Sequence, residues 1–377
     1  MEEMTEMAAP VASDVRAAPA VVETMALCDT VAGWVREPPA GPPAWPPERW
    51  WLFRQVCQAH GVAPLLARRL GWPASTAAGS WLAAQYAANR QRVAKIHDEL
   101  RQILAAFAAA GVPLVPLKGA PLGILLYDDP AERPMADLDF LLRPDDLERA
   151  APLLAGLGYE KIWTGWKHLR FARPENRQVV DPSCEHPDNP RVLELHPRCR
   201  ERLRDQMIDL TDSIWEAVRP GELLGQRSWL LEPAACWLQL AVHATHHIMM
   251  NRFRLIQLLD LALLAGGWAG WAGASVGVGA AASVGTDSPA GAAGAAGAAG
   301  DYRGGRCVER LPDLLSGVDP RAIYAPLALL ERYCPGGATA ALAAAARVRV
   351  APSFAAWAEA LDLYHASYLD PAPWRDP

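Results

Sequence analysis

The sequence predicts an α+β fold, in which a small mixed β-sheet is flanked by helical N- and C-terminal parts. Between residues 80 and 110, apolar residues recur every three or four positions, which is typical of an amphipathic helix. Short apolar runs of strand length follow at residues 112–117, 137–142 and 191–197. A helical period returns after residue 232. We therefore expect one small sheet between two helical parts.

Composition limits the class of protein. With 377 residues, the chain can bury a sizeable core, and its net charge of −6 argues against a general nucleic-acid-binding surface. Seven scattered cysteines without a CxxC pair indicate a reducing compartment, and the acidic N-terminus lacks a signal peptide. Residues 261–286 carry no charge but are too rich in glycine for a good membrane span. The expected protein is cytoplasmic, without a membrane segment.

Changes in composition and periodicity predict six segments. We expect a disordered lead-in with one short helix (1–45), an N-terminal helical part (46–111), the sheet-bearing core (112–200), a second helical part (201–265), a flexible Gly/Ala-rich insertion (266–306) and C-terminal helices (307–377).

A turn between a strand and a helix begins the core. Lys118, Gly119 and Ala120 follow an apolar run, and Pro121 suits the first turn of a helix, where its missing N–H costs nothing. The free amides at such a helix start are a natural seat for phosphate. We therefore expect Lys118, Gly119 and Ala120 to bind a phosphate group.

Two acidic residues lie in the next apolar run. Asp137 and Asp139 are two positions apart, so in a strand they share one face while Leu138 points to the other. Two adjacent carboxylates repel, and a divalent cation such as Mg²⁺ relieves that repulsion while also binding substrate phosphates. The pair therefore predicts a metal site.

The glycine turn, helix and D-x-D strand resemble those of the DNA polymerase beta-like nucleotidyltransferase superfamily. More narrowly, L-K-G-A, Tyr127, R-x-M-x-D-L-D and R-P-D-D-L-E-R-A…L-G-Y resemble a bacterial family of uncharacterised nucleotidyltransferases. The resemblance covers residues 112–160 and extends to about 265. It departs from the superfamily at Gly119-Ala120, where Gly-Ser or Gly-Gly is usual.

The resemblance implies a function and further site residues. It implies metal-dependent transfer of a nucleoside monophosphate from an NTP such as ATP to an acceptor hydroxyl, with Mg²⁺ or Mn²⁺ and release of pyrophosphate. Glu194, in the strand 191–197, corresponds to the third carboxylate of the superfamily and would act on the nucleophile. His196 shares its face and could orient the acceptor, bind the metal or only form a hydrogen bond nearby. Lys118 or Arg133 would neutralise developing charge. The acceptor is left open among small molecules, peptides, proteins, polysaccharide precursors and RNA.

Three alternatives remain at this point. Cys184, His186, His196 and Cys199 offer the ligand types of a structural zinc site. His243, His246 and His247 have helical spacing that suits a metal. Arg254 and Asp260 match a basic residue and an acid of the resembled family, and polar packing between two helices, with Asp260 bonded to a histidine or to Arg254, is the more common arrangement. The function itself has a rival: a catalytically silent relative that regulates by binding nucleotide or a protein partner.

Overall fold

A computed structural model describes residues 19–181, 185–204, 206–266 and 317–367, together with the single residues 302, 311 and 369. It confirms the α+β fold, with one five-stranded mixed sheet and two hairpins among helices. In the described ranges, no helix combines the length and the hydropathy that a membrane span requires.

The N-terminal part is helical, as expected. Its helices are α1 (Pro19–Arg36), α2 (Pro47–His60), α3 (Ala63–Leu70) and α4 (Ala77–Ala109). Thr76 caps α4 by accepting a hydrogen bond of 3.0 Å from the amide of Gly79. The apolar stripe that predicts α4, from Val93 to Phe107, is buried. Helix α1 is the helix expected within the lead-in, and it buries Leu27 and Val31 in the core.

The main sheet carries the core. Its strands are β1 (Val115–Leu117), β2 (Asp137–Leu141), β3 (Glu160–Thr164), β4 (Leu169–Ala172) and β5 (Val192–His196), in the spatial order β1-β2-β5-β4-β3. Strands β2 and β5 are parallel, and the other neighbours are antiparallel. Helix α5 (Gly119–Leu126) lies between β1 and β2 in the chain, and α6 (Leu147–Gly156) lies between β2 and β3. The predicted mixed sheet is therefore present.

One row of residues crosses four strands of this sheet. Asp139 on β2 lies opposite Glu194 on β5, Glu194 lies opposite Arg170 on β4, and Arg170 lies opposite Trp163 on β3. Residues directly opposite each other project from the same face of a sheet. Strand β4 lies outside the apolar runs that predict strands. The strand has only four residues, one of them Arg170, which is too few to show an alternation of apolar and polar residues. It is defined instead by its pairing with β3 on one side and β5 on the other.

The expectation of a helical part over 201–265 is wrong in its first half. Residues 200–231 form the hairpin of β6 (Arg200–Leu203) and β7 (Gln206–Asp209), the short helix α7 (Thr211–Glu216) and the hairpin of β8 (Val218–Leu223) and β9 (Gln226–Leu231). Leu224 and Gly225 both have positive φ, as a two-residue hairpin turn of the primed type requires. The turn could not be predicted from the sequence, because Leu224 occupies a position where Asn or Asp is usual.

Helices resume at Pro233. They are α8 (Pro233–Met249), α9 (Leu255–Leu264), α10 (Arg321–Tyr333), α11 (Gly337–Arg347) and α12 (Pro352–Ala360). Helix α8 packs against both α9 and α10, and its Trp237 is fully buried. The expected Gly/Ala-rich insertion lies outside the described residues, apart from residues 266 and 302.

Candidate active site

The turn after β1 has the predicted form of strand, turn and helix. Lys118 has a positive φ of 54°, and α5 begins at the next residue. Gly119 has no room for a side chain, because a Cβ there would lie 2.6 Å from Nη1 of Arg133 and 3.2 Å from Cβ of Met135. Ala120 is buried. The first amides of α5 therefore follow a turn that only a glycine fits.

Three carboxylates converge beside this turn. Asp137, Asp139 and Glu194 each offer an oxygen, and these oxygens lie within 4.8 Å of one another. The convergence follows from the register, since Asp139 is directly opposite Glu194 on the parallel neighbour and Asp137 is two residues earlier on β2. Asp139 is 2% exposed and Glu194 is 9% exposed. The site is therefore a largely buried acidic cluster.

Asp139 is held by two nitrogen donors. Lys118 Nζ donates to Asp139 Oδ1 at 2.7 Å, and His196 Nε2 lies 2.8 Å from the same oxygen. Burial raises the pKa of Asp139, but Lys118 and His196 outweigh burial and hold the pKa below its usual value. For Lys118, Asp139 and Asp137 likewise outweigh burial and raise the pKa of the ammonium. Asp139 is therefore an ionised, fixed carboxylate.

The other two carboxylates have the opposite electrostatics. Burial, and then the charge of Asp139, raise the pKa of Asp137 to about 6. Burial, and then Asp139 and Asp137, raise the pKa of Glu194 to about 7. Three buried carboxylates in one cluster thus oppose each other's ionisation. Their oxygens are the hard ligands that Mg²⁺ and Mn²⁺ prefer, and a divalent cation would balance the excess negative charge.

Arg133 lies behind the turn, where its guanidinium forms an ion pair with Asp260 of α9. Arg133 Nη2 donates to Asp260 Oδ2 at 2.6 Å, and Tyr127 Oη donates to Oδ1 at 2.9 Å. Asp260 is 1% exposed. The expected Asp260 partner, a histidine or Arg254, is wrong, since Arg254 donates to the carbonyl of Ala59. Because the Arg133 guanidinium also fills the space beside Gly119, the ion pair ties α9 to the turn.

Strand β4 and the residue before it bring two further side chains that the sequence analysis missed. His168 Nε2 lies 3.4 Å from Glu194 Oε1, and Arg170 Nε lies 3.2 Å from the same oxygen. His168, Glu194 and His196 form a second group whose donor atoms lie within 4.8 Å of one another. Without the β4 pairing, no pattern in the sequence places His168 and Arg170 beside Glu194.

A second ion-pair network borders the acidic cluster. Lys167 pairs with Glu201 Oε1, and His243 Nδ1 lies 2.7 Å from that oxygen. Lys167 and Glu201 line a small cavity together with Lys118 and His196. Burial, and then the charge of Lys118, lower the pKa of Lys167. Two lysines, each paired with a carboxylate, therefore line one small cavity beside the acidic cluster.

The alternative metal sites gain no geometric support. His243 contacts Glu201, His246 contacts the carbonyl of Arg202, and His247 contacts Gln257. These three histidines form no metal-ligand group in the described part of the chain. The zinc alternative includes Cys184, which lies outside the described residues. Its other members, His186, His196 and Cys199, are not grouped as ligands within the ranges that the structure describes.

Comparison with known proteins gives one match. No curated protein matches the chain significantly, and neither does any solved structure. A family model described as uncharacterised nucleotidyltransferase matches residues 46–267. The match begins 66 residues before residue 112, where the motif resemblance starts, so the N-terminal helices from α2 onward are part of the family domain. Since it covers more than half of the sequence, the chain belongs to the uncharacterised nucleotidyltransferase family.

Proposed function

We propose that the chain transfers a nucleoside monophosphate from an NTP to an acceptor hydroxyl, with a divalent cation and with release of pyrophosphate. The convergence of Asp137, Asp139 and Glu194 beside the Lys118–Gly119 turn is the observation that carries the proposal. Family membership supports nucleotidyl transfer in general. The metal, the direction of attack and the roles of the residues are the proposed parts.

The three carboxylates would hold Mg²⁺ or Mn²⁺. When bound, the cation would polarise the phosphate oxygens and stabilise the charge that develops on them. Lys118 and His196 both contact Oδ1 of Asp139, so they fix the orientation of that carboxylate before any cation binds. His196 is accordingly proposed as a positioning residue of this cluster. Arg133 is proposed to act at the turn, where it supports Gly119 from behind.

The triphosphate would be bound by amides and ammonium groups. The first amides of α5, at Gly119 and Ala120, provide donors and the positive end of a helix dipole. Lys118 lies between this turn and the carboxylates, and Lys167 faces the same cavity. Both lysines would offset the charge of the departing pyrophosphate. All residues proposed for the reaction lie within 112–200, which we propose as the catalytic core.

The reaction balances with one proton transfer. The acceptor oxygen forms a bond to the α-phosphorus, while the bond from this phosphorus to the oxygen that bridges it to the β-phosphorus breaks. That bridging oxygen keeps the bonding electron pair and leaves as part of pyrophosphate. Glu194, which lies opposite Asp139 on the neighbouring strand, would accept the proton of the acceptor hydroxyl. Most of the acceleration would come from positioning and electrostatics.

The test is incubation with Mg²⁺ and each NTP in turn, with sugars, aminoglycosides, peptides, proteins and tRNA as acceptors. Mass spectrometry should detect an acceptor that gains one nucleotide, together with released pyrophosphate. Asp137→Asn should abolish both signals, whereas Asp98→Asn, an exposed change on α4, should leave them unchanged. Metal-dependent NTP binding without any product would favour the silent regulator. Full activity of Asp137→Asn would refute the proposed site.

A further inference from the structure

The second half of the residue row that crosses the sheet is unused by the proposed reaction. Beyond Asp139 and Glu194, the row continues with Arg170 on β4 and ends with Trp163 on the edge strand β3. These residues project from the same face as the carboxylates. Since neighbouring strands are about 4.8 Å apart, Trp163 lies roughly 10 Å across the sheet from Glu194. An extended nucleotide has a comparable span between its α-phosphate and its base.

A break in strand pairing places Trp163 in this row. Lys161 lies opposite Phe171, but the next residue of β4 towards the site, Arg170, lies opposite Trp163 because the register shifts at Ile162. Without the shift, Ile162 would lie opposite Arg170. Inserting one residue into a strand is a common way to redirect a side chain beside an active site. Here it brings an indole, in place of an isoleucine, to the end of the row.

The indole of Trp163 is held in place by its contacts with two neighbouring residues. A Cβ on Gly165 would lie 1.8 Å from the Trp163 ring, so the ring lies directly against this glycine. The ring also contacts His168, with 5.2 Å between ring centroids, and His168 contacts His196 at 5.1 Å. Trp163 nevertheless stays 47% exposed. An aromatic ring is thus fixed beside the acidic cluster while much of its surface faces solvent.

The neighbouring Trp166 is arranged differently. It is exposed to a similar extent, 46%, but the guanidinium groups of Arg200 and Arg202 lie over its ring. Trp163 packs on Gly165 and His168 instead. Of the two tryptophans at the β3–β4 hairpin, Trp163 is therefore the one whose ring belongs to the row that contains Glu194.

We propose that Trp163 is the stacking platform for the nucleobase of the NTP, and that Arg170 contacts the nucleotide between the base and the cation site. This inference rests on the proposed function and adds the base-binding part of the site. The residues of the row follow the same order as the parts of an NTP. The carboxylates would bind the metal and the phosphates, the guanidinium of Arg170 lies in the middle, and the indole of Trp163 lies at the end where the base would be. Base–aromatic stacking tolerates any base, so it supplies affinity more than base selectivity.

The test compares two probes on the full chain in Mg²⁺. One probe is the set of four α,β-methylene NTPs, which cannot react, and the other is inorganic tripolyphosphate, which has no base. Calorimetry with Trp163→Ala should show NTP binding that is weaker by about tenfold to a hundredfold, with tripolyphosphate binding unchanged. Trp163→Phe should keep most of the NTP affinity. Gly165→Ala, which displaces the indole, should behave like Trp163→Ala.

Trp51→Ala is the matched control, since this tryptophan is 60% exposed on α2. It should leave the affinity of both probes unchanged. Equal weakening of both probes by Trp163→Ala, or NTP binding that does not depend on Trp163, would overturn the platform. Binding of neither probe to the unaltered protein would instead overturn the proposed function, and the platform with it.

Discussion

Lys118 reaches from a strained turn to the carboxylate of Asp139, 21 residues later in the chain. Its backbone has a φ of 54°, and its ammonium donates a hydrogen bond of 2.7 Å to Oδ1. A residue other than glycine in this region of φ is uncommon and marks a conformation that the surrounding structure imposes. The strain coincides with the contact that links the phosphate-binding turn to the acidic cluster.

Lys118→Met should therefore weaken NTP binding and raise the pKa of Asp139 together. The change removes an ammonium from the proposed triphosphate site and the cation that contributes most to lowering the pKa of that carboxylate. Lys118 also lowers the pKa values of Asp137 and Glu194, so in pH profiles of kcat/KM the acidic limb should move to higher pH. Steady-state kinetics between pH 5 and 9 would measure this shift. An unchanged acidic limb would show that Lys118 does not influence the ionisation of the carboxylate cluster.

The contribution of the carboxylate cluster to the stability of the metal-free protein should fall as pH rises. The pKa values of Asp137 and Glu194 are raised to about 6 and about 7, so these two groups bind more protons in the folded state than in the unfolded state between pH 4 and 7. The stability that they contribute then falls with rising pH across this window and levels off above it, whereas the buried histidines with lowered pKa values contribute in the opposite direction. Comparison with Glu194→Gln isolates the contribution of the cluster. In EDTA at pH 8, Glu194→Gln should be more stable than the unaltered chain by roughly 2–3 kcal/mol at most.

A bound cation should offset this loss of stability at higher pH. Mg²⁺ binds the ionised carboxylates, so it should raise the melting temperature more at pH 8 than at pH 5.5. Thermal unfolding in EDTA and in Mg²⁺, at both pH values, would measure the difference. Glu194→Gln should reduce the Mg²⁺-dependent increase. An increase of equal size at both pH values would contradict a carboxylate site.

Much of the fold could be predicted from local patterns. The stripe from Val93 to Phe107 predicts α4, and the apolar runs predict β1, β2 and β5, because a buried face leaves a period in the sequence. Strand β4 and the hairpin of β8 and β9 could not be predicted. The first is defined by its pairing with two neighbours, and the second turns through Leu224, a residue that does not signal a turn.

The candidate site divides in the same way. Asp137 and Asp139 are placed together by a spacing of two within one strand, which the sequence displays. Glu194 joins them through strand register, and family resemblance is what points to it. The sequence does not indicate the contacts of His168, Arg170 and the Lys167–Glu201 pair. These contacts form only because β4, β6 and α8 lie close together in the folded chain, and no spacing in the sequence shows that they do.

Gly119→Ala should disturb the turn, because its new Cβ would lie 2.6 Å from Nη1 of Arg133 and 3.2 Å from Cβ of Met135. We expect a loss of about 1–3 kcal/mol in the free energy of unfolding, together with weaker tripolyphosphate binding. Gly156→Ala is the matched control, since a Cβ at this position on α6 meets nothing within 4 Å. It should be neutral or stabilise the chain by about 0.4–1 kcal/mol. Urea denaturation would measure both, and equal effects would contradict the tight packing at Gly119.

The buried pair of Arg133 and Asp260 should be the most sensitive ion pair to single substitution. Asp260→Ala leaves a buried guanidinium without its carboxylate and removes the partner of the Tyr127 hydroxyl, so we expect a loss of about 3–5 kcal/mol in unfolding free energy. Tyr127→Phe removes one hydrogen bond and should lose about 1 kcal/mol. The double change Arg133→Met with Asp260→Leu leaves no unpaired charge and should be more stable than Asp260→Ala. Urea denaturation would measure these variants, and a double variant less stable than Asp260→Ala would show that the unpaired guanidinium is not what destabilises the single variant.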